Sequence, residues 1–426
     1  MSKVKKPENI AEAGFTHRTA MEEAARCLLC YDPPCNKGCP AGTEPAKFIR
    51  SIRFRNPKGA AETIRENNVL GGVCARICPF DRFCEEACSR CGIDRPIEIG
   101  KLQRYAIEQE QIFDLKTLKA PKEKKAARVA CVGAGPASLA AAAKLATEGY
   151  RVTVFEKEAH PGGILAYGIA FSRLPQEVVD YDIEHIRSLG VSFEFGKTVG
   201  QDADLTKMNF DAVFIGTGLG GAKLPEIPGK SLEGVYKAVD FLRKARTQRG
   251  NFTFGDKAVI IGGGNVAVDC AVSAKLLGAS HVSIVCREVI EQAPADMKEL
   301  HYALSLGVGI TTYMTPVALE GDATALRFVV FKGMDNESEL KLAADAVIFA
   351  TGQQAEDMSK IAAVELTAEG YIKVSDGGRT SAANVFAGGD ITGGGRTVVE
   401  AVRAGKEAAA SIIRYLEGKG ADQNGG

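Results

Sequence analysis

The sequence predicts an α/β protein in which a cysteine-rich, α-helical N-terminal domain precedes two nested Rossmann-like dinucleotide-binding domains. Three observations predict it. Nine of the twelve cysteines fall between Cys27 and Cys91. The stretch from Val129 to Glu156 reads as strand, glycine turn, helix and strand. A second stretch of the same form opens at Ala258. Apolar content of 45% and charged content of 25% over 426 residues are those of an ordinary globular protein of two or three domains. The formal net charge is zero, which favours neither nucleic acid nor an anionic membrane surface. No run approaches the roughly eighteen apolar residues of a membrane span, and the opening MSKVKKPENIAEAG has no apolar core, so a cytoplasmic protein is expected.

Residues 1–20 read as a loose lead-in. A helical pattern from Thr19 delivers the first cysteines, spaced Cys27-x2-Cys30-x4-Cys35-x3-Cys39-Pro40. Amphipathic helices follow over 45–54 and 58–67. A second group then runs Cys74-x3-Cys78-Pro79-x5-Cys84-x3-Cys88, with Cys91 close behind. Disulfides would suit a small secreted domain, but a long chain without a leader points to metal or cluster ligation. Iron–sulfur clusters need several thiolates converging from tight turns, and a cysteine before proline often ligates the other cluster of a pair. Cys27, Cys30 and Cys35 therefore begin one site, and Cys39 crosses to a second. Structural zinc is the competing reading, although paired CxxC knuckles or histidines are missing. Residues 93–112 are helical after Pro96. The lysine-rich connector 116–125 is the expected domain boundary.

In the first dinucleotide unit, the apolar run ends at Gly133-Ala134-Gly135 and a helix starts at Pro136-Ala137. Such a turn lets the backbone approach a pyrophosphate, which the free N–H groups of the helix start then bind. Ser138 stands where the third glycine is usual. Glu156 lies 23 residues after Gly133, where a carboxylate would grip ribose hydroxyls. Gly163 and the Tyr167–Pro175 stretch follow, then a helix over 176–189 and strands near 191–195 and 211–215, the latter ending in Gly216-Thr217-Gly218. The second unit carries Gly262, Gly264 and Ala267 as GxGxxA, with Asn265 and Val266 opening its helix. Its second strand ends at Arg287-Glu288 rather than at a clear ribose acid. A buried strand over 346–350 ends in Thr351-Gly352, and the chain closes with VFAGGD and a helix over 397–416. Residues 418–426 read as frayed.

Two Rossmann units, a TG after each and the late Gly388-Gly389-Asp390 resemble the two-dinucleotide-binding flavoproteins. That resemblance implies FAD on the first unit together with the chain's end, and a nicotinamide nucleotide on the second. Asp390 then bonds the ribityl chain, and Lys157, Thr397 and Val398 touch the flavin. Gly163, Arg173, Gly218 and Gly352 complete the candidate cofactor contacts. The redox CxxC of the disulfide-reductase branch is missing: Cys131, Cys270 and Cys286 are isolated and read as small core residues.

CLLCYDPPCNKGCP, FIRSIRFRNPKGAAETIRENNVLGGVCARICP and PIEIGKLQRYA, joined to this flavoprotein, resemble the electron-input subunit of bacterial NAD-dependent dihydropyrimidine dehydrogenase (PreT type). More distantly they resemble the glutamate synthase small subunit. The resemblance implies an N-terminal α-helical double iron–sulfur domain. One [4Fe–4S] cluster sits on Cys27, Cys30, Cys35 and Cys88, and a second on Cys39, Cys78, Cys84 and Gln103; Cys74 or Cys91 could instead complete the second. It further implies a partner subunit carrying FMN and iron–sulfur clusters that reduces uracil or thymine. Where the family has GIP…FRLP this chain has GIAFSRLP, with Ala170 for proline, which leaves the detail of that loop open. Arg287 favours NADPH and Glu288 opposes it; the resemblance implies NADH. No side-chain acid or base is required for hydride transfer, so no catalytic residue is assigned. The expected domains are 1–125 for the clusters and linker, 126–240 and 346–426 for FAD, and 241–345 for NAD(P)H. The alternatives are a glutamate synthase small subunit or related NADPH:ferredoxin-type oxidoreductase, and, in another class, a non-redox zinc assembly module.

Overall fold

The computed structural model describes residues 14–203, 208–222, 224–248, 250–322, 324–355 and 361–423. The lead-in expected over 1–20 lies outside these residues as far as residue 13. The chain forms two units: residues 167–173 and 220–354 compose one, and the remaining described residues the other.

The larger unit opens with six helices, α1 (His17–Ala25), α2 (Pro34–Gly38), α3 (Pro45–Arg53), α4 (Pro57–Asn67), α5 (Gly71–Ile77) and α6 (Ile99–Ile112). Proline opens α2, α3 and α4, where its missing N–H costs nothing and its fixed φ suits the first turn. The apolar stripe of α3, Phe48, Ile49 and Ile52, packs with Ala60 and Ile64 of α4 and Leu102, Ala106 and Ile107 of α6. All three helices therefore turn one face inward, as their spacing predicts.

The same unit continues with β1 (Arg128–Val132), α7 (Pro136–Thr147), β2 (Arg151–Glu156), the short helix α8 (Ile164–Tyr167), α9 (Gln176–Ser188), β3 (Ser192–Phe195) and β4 (Ala212–Ile215). Its last strand and helix come from the far end of the chain, β15 (Val385–Ala387) and α13 (Val398–Gln423). These strands form one parallel sheet in the order β15-β4-β1-β2-β3. The order reverses between β1 and β4, and ligands of such sheets bind beyond the strand ends at that switch point. Helix α13 lies along α7, where Gly405 leaves no room for a side chain: a Cβ there would overlap the backbone carbonyl of Ala137. Side chains 419–426, at the end expected to fray, lie outside the described residues.

The second unit contains β5 (Gly221–Ala222), β6 (Val235–Lys237), α10 (Ala238–Thr247), β7 (Lys257–Ile261), α11 (Asn265–Leu276), β8 (His281–Val285), α12 (Met297–Ser305) and β9 (Gly309–Thr311), followed by β10 (Met314–Asp322), β11 (Ala325–Gly333), β12 (Glu339–Ala343), β13 (Ala346–Phe349) and β14 (Gln353–Gln354). In its parallel sheet, β6-β13-β7-β8-β9, the strands β13-β7-β8-β9 repeat the order β4-β1-β2-β3 of the first, while the edge strand β6 precedes the others in the chain where β15 follows them. Strands β10–β12 form an antiparallel meander and β14 pairs with β5. The meander alternates inward Leu319, Val329 and Phe331 with exposed neighbours, so one face packs on the core and the other meets solvent.

Three expected boundaries change. Strand β13, assigned to the second FAD segment beginning at 346, pairs with β7 and β6 instead. Residues 220–240, assigned to the first FAD segment, supply β5, β6 and the start of α10 to the second unit. The connector 116–125 has no regular structure, yet the helices before it and the sheet after it belong to one unit.

Candidate cofactor and cluster sites

Cys27, Cys30, Cys35 and Cys88 line one cavity, walled also by Ile49 and Ile97. Burial raises the Cys35 thiol to about 11, and Cys88, Cys27 and Cys30 add to the rise as neighbouring charges. Cys27 is likewise raised by burial, with Cys88 and Cys30 contributing. Four thiols ring one space because α2 carries Cys35 back beside Cys27 and Cys30, and Cys88 arrives from the turn beyond α5. The second group converges too. Cys78 is raised by a hydrogen bond with Cys74, by burial, and by Cys74, Cys84 and Cys39. Cys84 is raised by burial, then by Cys39, and it also feels Cys35 of the first group. The two groups therefore adjoin. Gln103 is buried, and its Nε2 donates to the Gly71 carbonyl at 2.8 Å, which turns the amide toward the start of the helix carrying Cys74 and leaves Oε1 as its acceptor. Cys91 is exposed and donates to the carbonyls of Glu85 and Glu86, apart from both groups. Among the described residues no three His, Cys, Asp or Glu side chains close on the point a single ion would occupy. Thiols spaced around a cavity suit the body of an iron–sulfur cluster. All twelve cysteines are free thiols.

At the first dinucleotide turn Gly133 has φ +87°, and a Cβ there would stand 2.9 Å from the Gly216 carbonyl, so only glycine fits. Helix α7 starts after Gly135 at Pro136 and Ala137 without a side-chain cap, leaving N–H groups free for a phosphate. Gly163 packs against the same turn, its notional Cβ 2.9 Å from Gly135 Cα. Glu156 accepts from Ala134 N at 2.7 Å and Glu158 N at 3.0 Å. Burial raises its carboxyl while these backbone bonds oppose the rise. Lys157, next to it, is exposed. Gly389 has φ +78°, and a Cβ there would meet Ala137 Cβ at 2.9 Å, which sets Asp390 beside the start of α7. Asp390 accepts from Arg396 N at 2.9 Å, and burial raises its carboxyl. At the start of α13, Thr397 N and Oγ1 both bond Glu400 Oε2, at 2.9 and 2.7 Å. This is a capping box, and it leaves Val398 and Val399 N–H uncapped. Gly218 stands beside open space.

The second turn repeats this plan. Gly262 N bonds the Val285 carbonyl at 2.9 Å, and α11 starts after Gly264 without a side-chain cap. Asn265 Oδ1 accepts from Asp296 N at 2.7 Å, Val266 is half-buried in the first turn, and Gly352 faces open space. Glu288 stands in a position that the sequence does not reveal. A Cβ on Gly263 would stand 3.1 Å from Glu288 Oε2, so this carboxylate lies over the turn as Glu156 does over the first, 26 residues after Gly262 where Glu156 follows Gly133 by 23. Arg287 is 74% exposed and its Nε pairs with Glu288 Oε1 at 2.7 Å. Arg173, a candidate cofactor contact, pairs with Asp269 of α11 at 3.4 Å and Glu299 of α12 at 3.0 Å, inside the second unit. Burial lifts the Asp269 carboxyl to about 6 against the pull of Arg173.

The described residues contain no helix long and apolar enough to cross a membrane. Residues 127–405 match the pyridine nucleotide-disulphide oxidoreductase family, and residues 3–114 match dihydropyrimidine dehydrogenase domain II, a 4Fe-4S cluster domain. The chain is 46% identical over 407 residues to the NAD-dependent dihydropyrimidine dehydrogenase subunit PreT of Escherichia coli K12, covering 95% of this chain and 96% of that one. It is 31% identical to the small chain of the NADPH glutamate synthase of the same strain, covering 95% and 93%. Its fold is like that of Mycobacterium tuberculosis FprA in complex with NADPH, at TM-score 0.60 and 19% identity over 70% of this chain and 86% of that one. It is also like T. acidophilum thioredoxin reductase, at TM-score 0.57 and 23% identity over 68% of this chain and 98% of that one.

Proposed function

The chain belongs to the family of NAD-dependent dihydropyrimidine dehydrogenase PreT subunits, oxidoreductases with FAD and iron–sulfur centres, and on that premise we propose that it is the electron-input half of a two-chain enzyme. It oxidises NADH, and the electrons leave through two [4Fe–4S] clusters to a separate subunit bearing FMN and clusters of its own, where uracil or thymine is reduced to the 5,6-dihydropyrimidine. The observation that carries this reading is the cavity ringed by Cys27, Cys30, Cys35 and Cys88, in a chain that also builds two dinucleotide turns. Twelve free thiols and the use of NADH suit a reducing, cytoplasmic setting.

Bound FAD supplies the change from a two-electron hydride to single electrons; the protein supplies binding and electrostatics. Gly133 and the N–H groups at the start of α7 hold the pyrophosphate of FAD, Glu156 its ribose and Asp390 its ribityl chain. The uncapped N–H groups of Val398 and Val399 favour negative charge on the flavin. Gly262, Gly264, Asn265 and Val266 bind the pyrophosphate of the nicotinamide nucleotide. Glu288 takes the ribose hydroxyls, and its charge repels a 2′-phosphate, so NADH is the electron donor. Cys39, Cys78 and Cys84 hold the second cluster, with Gln103 or Cys74 as the fourth ligand.

The reading is tested by combining the purified chain with an FMN-barrel subunit and following NADH oxidation with and without uracil. NADH oxidation that requires both the second subunit and a pyrimidine is expected. Oxidation indifferent to uracil, or coupled instead to an amidotransferase chain, would overturn it.

A further inference from the structure

Lys406 lies on α13 about two and a half turns beyond Thr397, with its side chain half-buried. Its Nζ donates to the carbonyl of Ala41 at 2.7 Å and to the carbonyl of Asn67 at 2.5 Å, residues 365 and 339 positions away. Asn67 ends α4. Ala41 stands in the turn that folds back over the Cys39 sulfur, where Thr43 N donates to Sγ at 3.5 Å and Sγ bonds Thr43 Oγ1 at 3.3 Å. One ammonium thus ties the helix that begins at the flavin site to the loop that carries a cluster ligand.

Two neutral carbonyls fix the position of this cation without cancelling its charge. Among the described residues no carboxylate is within ion-pair distance of it; Cys39, Lys144 and Glu407 are the charged or ionisable groups close enough to act on it. A carboxylate pair would have made Lys406 an ordinary salt bridge. A pair of carbonyls leaves its field to act on whatever charge Cys39 carries.

We propose that Lys406 is a positioning residue for electron transfer: a fixed cation that raises the reduction potential of the cluster bound through Cys39. The inference rests on the reading that this cysteine holds a [4Fe–4S] cluster fed by the flavin. When that cluster is reduced it gains one electron, which the flavin, itself reduced by NADH, gives up; Lys406 exchanges neither proton nor electron. The added negative charge is favoured by a positive charge held nearby in partly buried surroundings, where Coulomb interactions are weakly screened. Charge near a cluster, together with hydrogen bonding and exposure, is what sets its potential.

The test uses the holoenzyme, Lys406→Gln, which keeps a donor without the charge, and Lys406→Arg, which keeps the charge. Iron and acid-labile sulfide are counted first. Each protein is then titrated potentiometrically under anaerobic conditions with EPR detection, a Cys39→Ser variant identifying the signal of its cluster. Lys406→Gln is expected to keep its full iron and to make that cluster about tenfold harder to reduce, equal to about 59 mV for one electron. The other cluster should be unmoved, and Lys406→Arg should restore the original value. An unmoved potential in Lys406→Gln, an equal shift in both clusters, or loss of iron in that variant would overturn the proposal; the last would make Lys406 a structural pin. Absence of iron and sulfide from the unsubstituted protein would instead remove the cluster reading itself, and this inference with it.

Discussion

Arg65 of α4 donates through Nη1 to Asp182 of α9 at 2.7 Å across 117 residues of chain, and both side chains are wholly buried. Arg65 also donates to Glu110 of α6 through Nη2 at 2.7 Å and to the Val69 carbonyl at 2.6 Å. Asp182 in turn accepts from Gly72 N at 3.3 Å and Val73 N at 2.8 Å at the start of α5, the helix that carries Cys74 and leads to Cys78. The charged network thus joins the cluster-bearing helices to a helix of the first dinucleotide sheet.

Asp182→Ala should destabilise this unit by about 3–5 kcal/mol, because removing one partner of a buried pair strands the other. Denaturant unfolding of the unit, followed by circular dichroism against the unsubstituted protein, measures it. A loss below about 1 kcal/mol would mean that Arg65 is satisfied without Asp182.

Asp269 sets a pH dependence in the second unit. Burial raises its carboxyl to about 6 in the folded protein, against an ordinary value near 3.9. Between about pH 4 and 6 the folded form therefore holds more protons than the unfolded form, and stability falls as pH rises through that window. The stabilisation is complete below about pH 4 and lost above about 6. Asp269→Asn should flatten this slope, as read from thermal midpoints across the window; a slope that survives the substitution would place its source elsewhere.

Glu288→Gln should lower kcat/KM for NADH by roughly tenfold, the size of one charge-assisted hydrogen bond. It should raise kcat/KM for NADPH, since the repelling charge goes and Arg287 is released from its pair at 2.7 Å. Steady-state kinetics with both nucleotides check it, and an unchanged NADH-to-NADPH ratio would contradict the role given to this carboxylate.

Much of this arrangement is legible in the sequence where one physical signal has one meaning. The change from an apolar strand to a glycine turn and then an alanine-rich helix marks both dinucleotide turns. The cysteine spacing marks the cluster domain. Other features are hidden for equally physical reasons. The buried strands AVIF at 346–349 and VFA at 385–387 look alike, and nothing in an apolar run tells which sheet it joins. Glu288 arrives three residues beyond the position that the glycine-to-acid spacing of the first unit predicts for a ribose acid. Arg65, Glu110, Asp182 and Lys406 sit in helices, where charges read as a solvated face until tertiary packing brings partners from distant segments.

Gly389→Val should purify with little flavin. The residue is held at φ +78°, and its Cβ would meet Ala137 at 2.9 Å, so a branched side chain forces Asp390 away from the start of α7. The ratio of flavin absorbance to protein measures this; full FAD occupancy would show that the strand-to-helix turn adapts.

On the proposed function, NADH delivers electrons to a flavin that shares them with two clusters in this one chain. Anaerobic titration of the purified protein with NADH and, separately, with NADPH tests it most directly, following flavin bleaching and the broad cluster absorbance after iron has been counted. About eight irons per FAD are expected, as two four-iron clusters require, with bleaching by NADH at far lower concentration than by NADPH. Zinc in place of iron, or a flavin that neither nucleotide bleaches, would contradict it.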